Sequence, residues 1–290
     1  MKLEYIVNNL TKYETLKQVL KEEFSISERL IIKLKNSKQI YVNNTFSHIN
    51  QKLQIGDIIG VDLDFEETCD NIVPTKMNLD ILFEDDALLI INKPPFTPVH
   101  PSMDHYVDSL SNGIKYYFDS IGLKRKIRPV NRLDKNTSGI VIFAKNEYIQ
   151  ECSIRQMKEN TFEKIYIALV DGIIEKEQII DAPIARKQNS IIERCVDNNG
   201  DNAITIIKPL KTFDNNSLIE CILKTGRTHQ IRVHASYIGH PILGDDLYGK
   251  KSNKISRQAL HAYKISFIHP ITKKILKIEA PIPKDIEKLI

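Results

Sequence analysis

Arg128-Pro129-Val130-Asn131-Arg132-Leu133-Asp134-Lys135-Asn136-Thr137-Ser138-Gly139 runs directly into Ile140-Val141-Ile142-Phe143-Ala144-Lys145. The second stretch is an unbroken apolar run of strand length, rich in β-branched residues, and predicts a buried β-strand. Thr137, Ser138 and Gly139 suit a tight turn whose hydroxyls and N–H groups hold the preceding loop rigid. Asp134 therefore sits in a cationic loop at the mouth of a buried strand. Neighbouring positive charge favours the charged form that a carboxylate nucleophile or base needs. Taken alone, the same pattern is equally that of an Asp capping its own turn and pairing with Arg132.

Working outward, further strand signals lie at Ile81-Leu82-Phe83, Leu88 to Ile91, Ile165 to Val170 and Leu218 to Leu223. Helical patterns fall between them, notably Ser109 to Ile121 and Glu147 to Lys158. There is no strict βαβ alternation and no Gly-rich nucleotide fingerprint, so an α+β domain on a largely antiparallel sheet is expected over 79–290. A polar stretch, 66–78, reads as a linker.

Residues 1–65 read as a small separate unit. Thr11 and Glu14 have the spacing of a capping box, ahead of Leu16, Val19, Leu20 and Phe24 at helical intervals. Ser25 and Glu28 repeat that spacing before Leu30, Ile31 and Leu34. Gln39 to Val42, an Asn43-Asn44 turn and Asp57 to Val61 then predict a hairpin.

The 290 residues are 42% hydrophobic and 27% charged, as in an ordinary soluble globular protein. No apolar run approaches the roughly 18 residues that span a bilayer, and Met1 to Tyr5 lacks the marks of an export signal. A cytoplasmic protein without membrane contact is expected. Cys69, Cys152, Cys195 and Cys221 are too scattered for a zinc site and read as reduced, mostly buried thiols. His229, His234 and His240 lie close together but without His-Glu-x-x-His spacing, so no metal is assigned.

A net charge of +4 says little by itself; its distribution says more. Lys124, Arg125, Lys126, Arg128, Arg132 and Lys135 are opposed in their segment only by Asp134. Arg29, Lys33, Lys35 and Lys38 have no acid among them, and Lys250, Lys251, Lys254 and Arg257 form a third group. Three such strips in a nearly neutral chain point to a polyanion track.

Two more segments carry chemistry. In Lys224-Thr225-Gly226-Arg227-Thr228-His229-Gln230-Ile231-Arg232-Val233-His234, Thr228 is a suitable N-cap and Ile231, Ala235 and Ile238 share a helical face. Arg227 then stands at the helix mouth, within reach of a carboxylate elsewhere in the chain. In Phe83-Glu84-Asp85-Asp86-Ala87-Leu88-Leu89-Ile90-Ile91-Asn92-Lys93-Pro94-Pro95, a strand delivers Lys93 into a proline-stiffened loop that carries His100.

In this order the segments closely resemble the RluA-type pseudouridine synthase family. Arg132 to Gly139 match its Arg-Leu-Asp-x-x-Thr-Ser-Gly pattern, and Thr225 to His234, Gly244-Asp245 and Tyr248-Gly249 match a later motif. Lys164-x-Tyr166-x-Ala168-x-Val170-x-Gly172 is similar to the family's tyrosine strand, and Asn92 to His100 resemble its first motif. The resemblance runs from Ile81 to the C-terminus. Asn131 stands where the family usually has His, and Phe96 where it has Gly. Thr15 to Val61 resemble the S4 RNA-binding domain, with Gln39 and Asn43-Asn44 in place of its usual Gly and Asn-Gly.

The resemblance implies isomerisation of uridine to pseudouridine in structured RNA, without cofactor, redox partner or energy source. It implies Asp134 as the essential carboxylate, attacking C1′ or abstracting a sugar proton. Arg227 would pair with Asp134, and Tyr166 would stack on the uracil and serve as general base at C5. Arg132 would flip the nucleotide, with Lys93, His100, Thr137 and Ile231 also touching substrate. Arg29, Lys33, Lys35, Lys38, Lys124, Arg125 and Lys126 would bind flanking RNA. Ribosomal RNA is the first expected target and transfer RNA the second, and the enzyme is expected to be a monomer. A glycosidase would need a second acid, for which Glu163 or Asp245 would have to approach in space. A non-catalytic RNA-binding factor would have little reason to keep Asp134, Arg227 and Tyr166 together.

Overall fold

The computed structural model describes every residue except Thr11, so the expected Thr11–Glu14 capping pair lies outside the described residues. The N-terminal module contains β1 (Lys2–Ile6), α1 (Leu16–Gln18) continuing as a π-helical turn over Val19–Glu23, and α2 (Glu28–Asn36). After these come β2 (Ile40–Val42), β3 (Thr45–Phe46) and β4 (Ile58–Asp62), giving an antiparallel sheet in the order β1-β4-β2-β3. The first helix is opened by Thr15, whose N–H donates to Gln18 Oε1 at 2.9 Å. The second is capped by Ser27, whose Oγ accepts from Leu30 N–H at 3.2 Å, not by Ser25. Asn43 and Asn44 both take positive φ, +50° and +62°, as a two-residue hairpin turn requires. β1 is an addition to the expected module: its residues alternate between exposed and half-buried, so the segment shows no strongly apolar face.

The second domain runs β5 (Ile81–Glu84), β6 (Leu88–Lys93), α3 (Leu110–Ser120), β7 (Arg128–Pro129), β8 (Ser138–Ala144), α4 (Glu147–Lys158) and β9 (Glu163–Asp171). It continues with β10 (Gln178–Asp181), β11 (Ile184–Arg186), β12 (Arg194–Val196), β13 (Ile204–Phe213) and β14 (Asn216–Leu223). α5 (Gln230–Tyr237), β15 (Leu260–Ile268), β16 (Ile275–Glu279) and α6 (Lys284–Glu287) complete it. The main sheet has the order β10-β13-β14-β9-β15-β8-β6-β5, while β11 and β12 pair apart from it. No helix among the described residues is long and apolar enough to cross a membrane.

Both faces of the central strands are covered, which is why β8 is apolar throughout rather than alternating. Leu89, Ile91, Val141 and Phe143 pack against Leu110, Ile114 and Phe118 of α3. Leu88, Ile90, Ile140 and Ile142 face the other way, toward Tyr148 and Ile149 of α4, in an apolar cluster that continues into Leu20, Leu30 and Ile31 of the module. The module thus shares a core with the second domain.

One pairing in the main sheet is parallel. β8 meets β15 only at Ser138↔His261 and Gly139↔Ala262. Gly139 has φ +111°, and a Cβ there would lie 2.2 Å from the Ala262 carbonyl oxygen. Beyond this contact the strands part, β15 pairing with β16 and β8 with β7. The Asp134 loop enters at this fork.

The segment expected to be a free linker begins as a docking seam. Arg125 pairs with Asp64 at 2.6 Å, Lys124 with Glu66 at 3.1 Å, and Arg128 with Glu67 through two bonds of 2.6 Å. From the module, Lys33 reaches Glu67 at 2.8 Å and Glu147 at 3.0 Å, and Arg29 lies 3.3 Å from Glu147. Four of the seven cations assigned to RNA are therefore engaged with acids. Counting charge along the chain missed this, because the acids arrive from another segment.

Glu67 is the centre of that seam, its side chain only 5% exposed. Burial would raise its carboxyl pKa, but Arg128 and Lys33 outweigh burial and hold it below the ordinary 4.5. The stabilisation it supplies is full above the unfolded-state pKa and is lost as pH falls through the lower folded value. Glu67→Ala should cost about 3 kcal/mol in urea unfolding near neutrality, by leaving the nearly buried Arg128 unpaired. The deficit relative to the parent should shrink below about pH 4.5; a deficit independent of pH would contradict this account.

Candidate active site

Four consecutive residues after Asp134 are pinned from below by buried polar side chains. Lys93 Nζ donates to Lys135 O at 3.0 Å, and Arg257 Nη1 to Asn136 O at 3.1 Å. Gln258 Nε2 donates to Thr137 Oγ1 at 3.1 Å, and Ser138 Oγ lies 2.9 Å from His261 Nδ1. Lys93 is fully buried and also donates to Pro94 O at 2.9 Å and Thr97 O at 2.8 Å. Burial, reinforced by the Arg257 charge and partly opposed by Asp134, pushes its pKa down to about 7. Lys93, expected at the substrate, is thus buried in the structure and ties two loops together through these carbonyls. Arg257, from the third basic strip, is likewise buried and holds Asp285 through bonds of 2.6 and 2.9 Å.

Above this floor, Arg232 Nη1 donates to Asp134 Oδ2 at 3.1 Å. The rest of the guanidinium is held by Asp245, with Nε to Oδ2 at 2.7 Å and Nη2 to Oδ1 at 2.8 Å. Burial would lower the Arg232 pKa, but Asp245 and then Asp134 outweigh it and push it up. His229 Nε2 approaches the same Asp134 oxygen, at 3.8 Å. Among the described residues no polar group claims Asp134 Oδ1. Asp245 is completely buried with both oxygens occupied, so it is no second catalytic acid.

The expected Asp134–Arg227 pair does not form. Arg227 Nε donates to Asn202 O at 2.9 Å and Nη1 lies 3.7 Å from Asp201. The cause is the start of α5. Gln230 Oε1 accepts from Arg227 N–H at 2.9 Å and from Thr225 Oγ1 at 2.8 Å, folding the segment back on itself. The helix is capped by His229 in the left-handed conformation, φ +59°, rather than by Thr228. Arg227 stays on the loop outside, and Arg232 is carried inward. Sequence periodicity could not choose between them, because Ile231, Arg232, Val233 and His234 are all buried.

Asp134 opens into a cavity of about 530 Å³ lined by Val99, His100, Arg132, Tyr166, Leu223 and Arg227 among others. Thr137 and Ile231 line a smaller adjoining cavity of about 60 Å³ that shares Asp134, Tyr166 and Arg227 with the first. Arg132 is exposed and makes no ion pair among the described residues. Tyr166 is 8% exposed, and burial, followed by the Asp134 charge, raises its phenol pKa. The two other histidines of the 229–240 group serve the fold: His234 meets Thr205 Oγ1 and Ala182 O, both at 2.9 Å, and His240 meets Asp171 O at 2.9 Å.

A second cavity, about 810 Å³, lies beside Arg29 and Lys33 of α2, Lys126 and Glu147, and shares His100, Val130 and Arg132 with the first. On the opposite flank a third, about 430 Å³, is lined by Arg186, Arg194 and Arg227. Lys126 and Lys35 are exposed without an ion pair among the described residues, as is Lys38.

Residues 87–237 match the family model described as RNA pseudouridylate synthase. Over 270 residues the chain is 38% identical to YjbO, an uncharacterised RNA pseudouridine synthase of Bacillus subtilis, covering 92% of this chain and 95% of that one. It is 36% identical over 264 residues to ribosomal large subunit pseudouridine synthase D of Neisseria meningitidis serogroup B, covering 87% and 71%. The structure of human RNA pseudouridylate synthase domain containing 1 superposes with a TM-score of 0.59 at 27% identity, covering 70% and 83%.

Lys93→Met should expose the value of the pinned loop. It leaves three carbonyls without their donor and should destabilise the protein by about 3 kcal/mol. Amide hydrogen exchange over residues 135–138 should accelerate more than the global loss accounts for. Uniform acceleration across the domain would show that Lys93 serves stability alone.

Proposed function

The chain belongs to the RNA pseudouridylate synthase family and is an RNA pseudouridine synthase; we propose that it modifies large-subunit ribosomal RNA, with Asp134 as the reactive carboxylate. The supporting observation is that Arg232 holds Oδ2 of Asp134, no polar group among the described residues holds Oδ1, and Asp134 lines a cavity large enough for a nucleotide. The reaction breaks the N1–C1′ bond of uridine and joins C5 to C1′, with one proton leaving C5 and one taken up at N1. The chain's own groups hold the carboxylate, the base and the flanking strand.

A stacked uridine has its glycosidic bond out of reach, so the nucleotide must be everted, at a cost of a few kcal/mol. Arg132, without an ion pair among the described residues and lining both of the first two cavities, would occupy the gap. The Tyr166 ring forms an apolar wall with Leu223 against which a uracil can stack. The cationic cavities on either flank offer phosphate contacts from Lys126 on one side and Arg186 and Arg194 on the other. The N-terminal module, S4-like in its helices and hairpin, would extend that track through Lys35 and Lys38. Ribosomal RNA is favoured over transfer RNA because relatives matching most of this chain are ribosomal large subunit synthases. A cytoplasmic monomer fits that assignment.

Asp134→Asn should bind ribosomal RNA as the parent does and form no pseudouridine. Residual product, read by chemical mapping of the RNA after incubation, would refute the role of Asp134. Release of free uracil would instead indicate glycosidase chemistry. Product in transfer RNA but not in 23S RNA would move the target while leaving the enzyme class intact. Lys126→Ala should weaken binding uniformly across sequences and reduce the salt slope by about 1.

A further inference from the structure

Tyr248 belongs to the turn that Asp245 caps, its N–H donating to Asp245 Oδ1 at 3.1 Å. Its hydroxyl accepts from Arg194 N–H at 2.8 Å and lies 2.8 Å from His229 Nδ1. With the Arg194 bond taking an oxygen lone pair, the phenolic proton is directed at Nδ1. An imidazole that accepts at Nδ1 carries its own proton on Nε2 when neutral. That Nε2 is the atom 3.8 Å from Asp134 Oδ2.

The backbone also points to a purpose. His229 is a non-glycine residue at φ +59°, a conformation that persists only when its surroundings impose it. The imposing group is Gln230, fully satisfied by Thr225, Arg227, Ile204 and Thr205. The strained conformer presents the His229 ring to the cavity. The charged groups facing the ring are Asp134 from the β7–β8 loop, Arg232 from α5, Arg194 from β12 and Asp245 from the turn. Burial, only partly opposed by Asp134, lowers the His229 pKa, which keeps the ring neutral.

We propose that Tyr248 and His229 form a positioning pair: Tyr248 locks His229 with its Nε2–H aimed at Oδ2 of Asp134, 3.8 Å away, to close on that oxygen as a donor beside Arg232 when the nucleotide engages Oδ1. The opposite tautomer would set a bare nitrogen against the carboxylate and push it out of line. The inference rests on the reading of Asp134 as the reactive carboxylate.

Tyr248→Phe tests it while retaining the ring, which sits 5.0 Å from the Arg232 guanidinium. With a ribosomal RNA fragment that the parent modifies, kcat should fall about tenfold, the worth of one hydrogen bond acting on a charged group. KM should stay unchanged. His229→Asn, which tolerates the left-handed backbone, should lose at least as much, and adding Tyr248→Phe to it should cost nothing further. His229→Gln, whose longer side chain carries its amide N–H closer to Asp134 than the Asn amide, should recover part of that loss. Parental kcat in Tyr248→Phe, a loss in KM alone, or additive losses in the double variant would each overturn the proposal. Activity surviving in Asp134→Asn would instead overturn the reading beneath it.

Discussion

One buried guanidinium, Arg232, serves two carboxylates, and the geometry of the site follows from how unequally they share it. Asp245 takes Nε and Nη2 side by side and also accepts from the N–H groups of Leu247 and Tyr248, both at 3.1 Å. A wholly buried acid thereby has partners for both oxygens, the condition under which a buried ion pair is tolerated. Only Nη1 is left for Asp134, in a single bond to a single oxygen. A lysine could not make this fork, because its donors diverge from one point. The same Asp245 fixes the turn bearing Tyr248, so one anchor sets the arginine and the group behind His229 together.

The loop beneath carries a complementary constraint. Lys93 and Arg257 are basic groups without solvent, satisfied by backbone carbonyls and by Asp285. Their bonds fall on residues 135 and 136, while Gln258 and His261 take 137 and 138. A loop fixed at four successive residues does not reorganise when charge develops nearby, and such preorganisation is a principal source of transition-state stabilisation. Gly139 completes the constraint, since no side chain fits between β8 and Ala262.

Much of the fold was legible because its signals are local. α3 and α4 form where their periodicity and the Ser109 and Asn146 caps place them, and β5, β6, β8, β9 and β14 occupy the apolar runs that predict them. β1, β10 and β16, which are short or alternate between exposed and half-buried residues, carried no comparable signal. At the site, Asp134 was legible from its loop, whereas its partner was not. Arg227 and Arg232 stand in one motif, and the choice between them turns on a left-handed residue and a glutamine latch that periodicity does not encode. Lys93 was misplaced for a related reason: a lysine at a strand end reads as solvent-facing unless the carbonyls that bury it are known.

The basic strips show how far linear charge can mislead, and what survives the correction. Asp64, Glu66 and Glu67 line up against Arg125, Lys124 and Arg128, so three cations of the strip that reads as an RNA track are paired with acids at the junction with the N-terminal module. Exposed pairs in such a seam contribute little each. The Glu67 cluster is different, because Arg128 and Glu67 are both nearly buried and the apolar core continues beneath them. A module held in this way cannot swing on a tether, so the groove between α2 and β7 keeps its width. The cations lining that groove without acid partners among the described residues, Lys126 and Arg132, then stand at fixed separation from Asp134. Under the reading proposed for this enzyme, neutralising the others against acids is what confines phosphate contacts to the path that leads to the carboxylate.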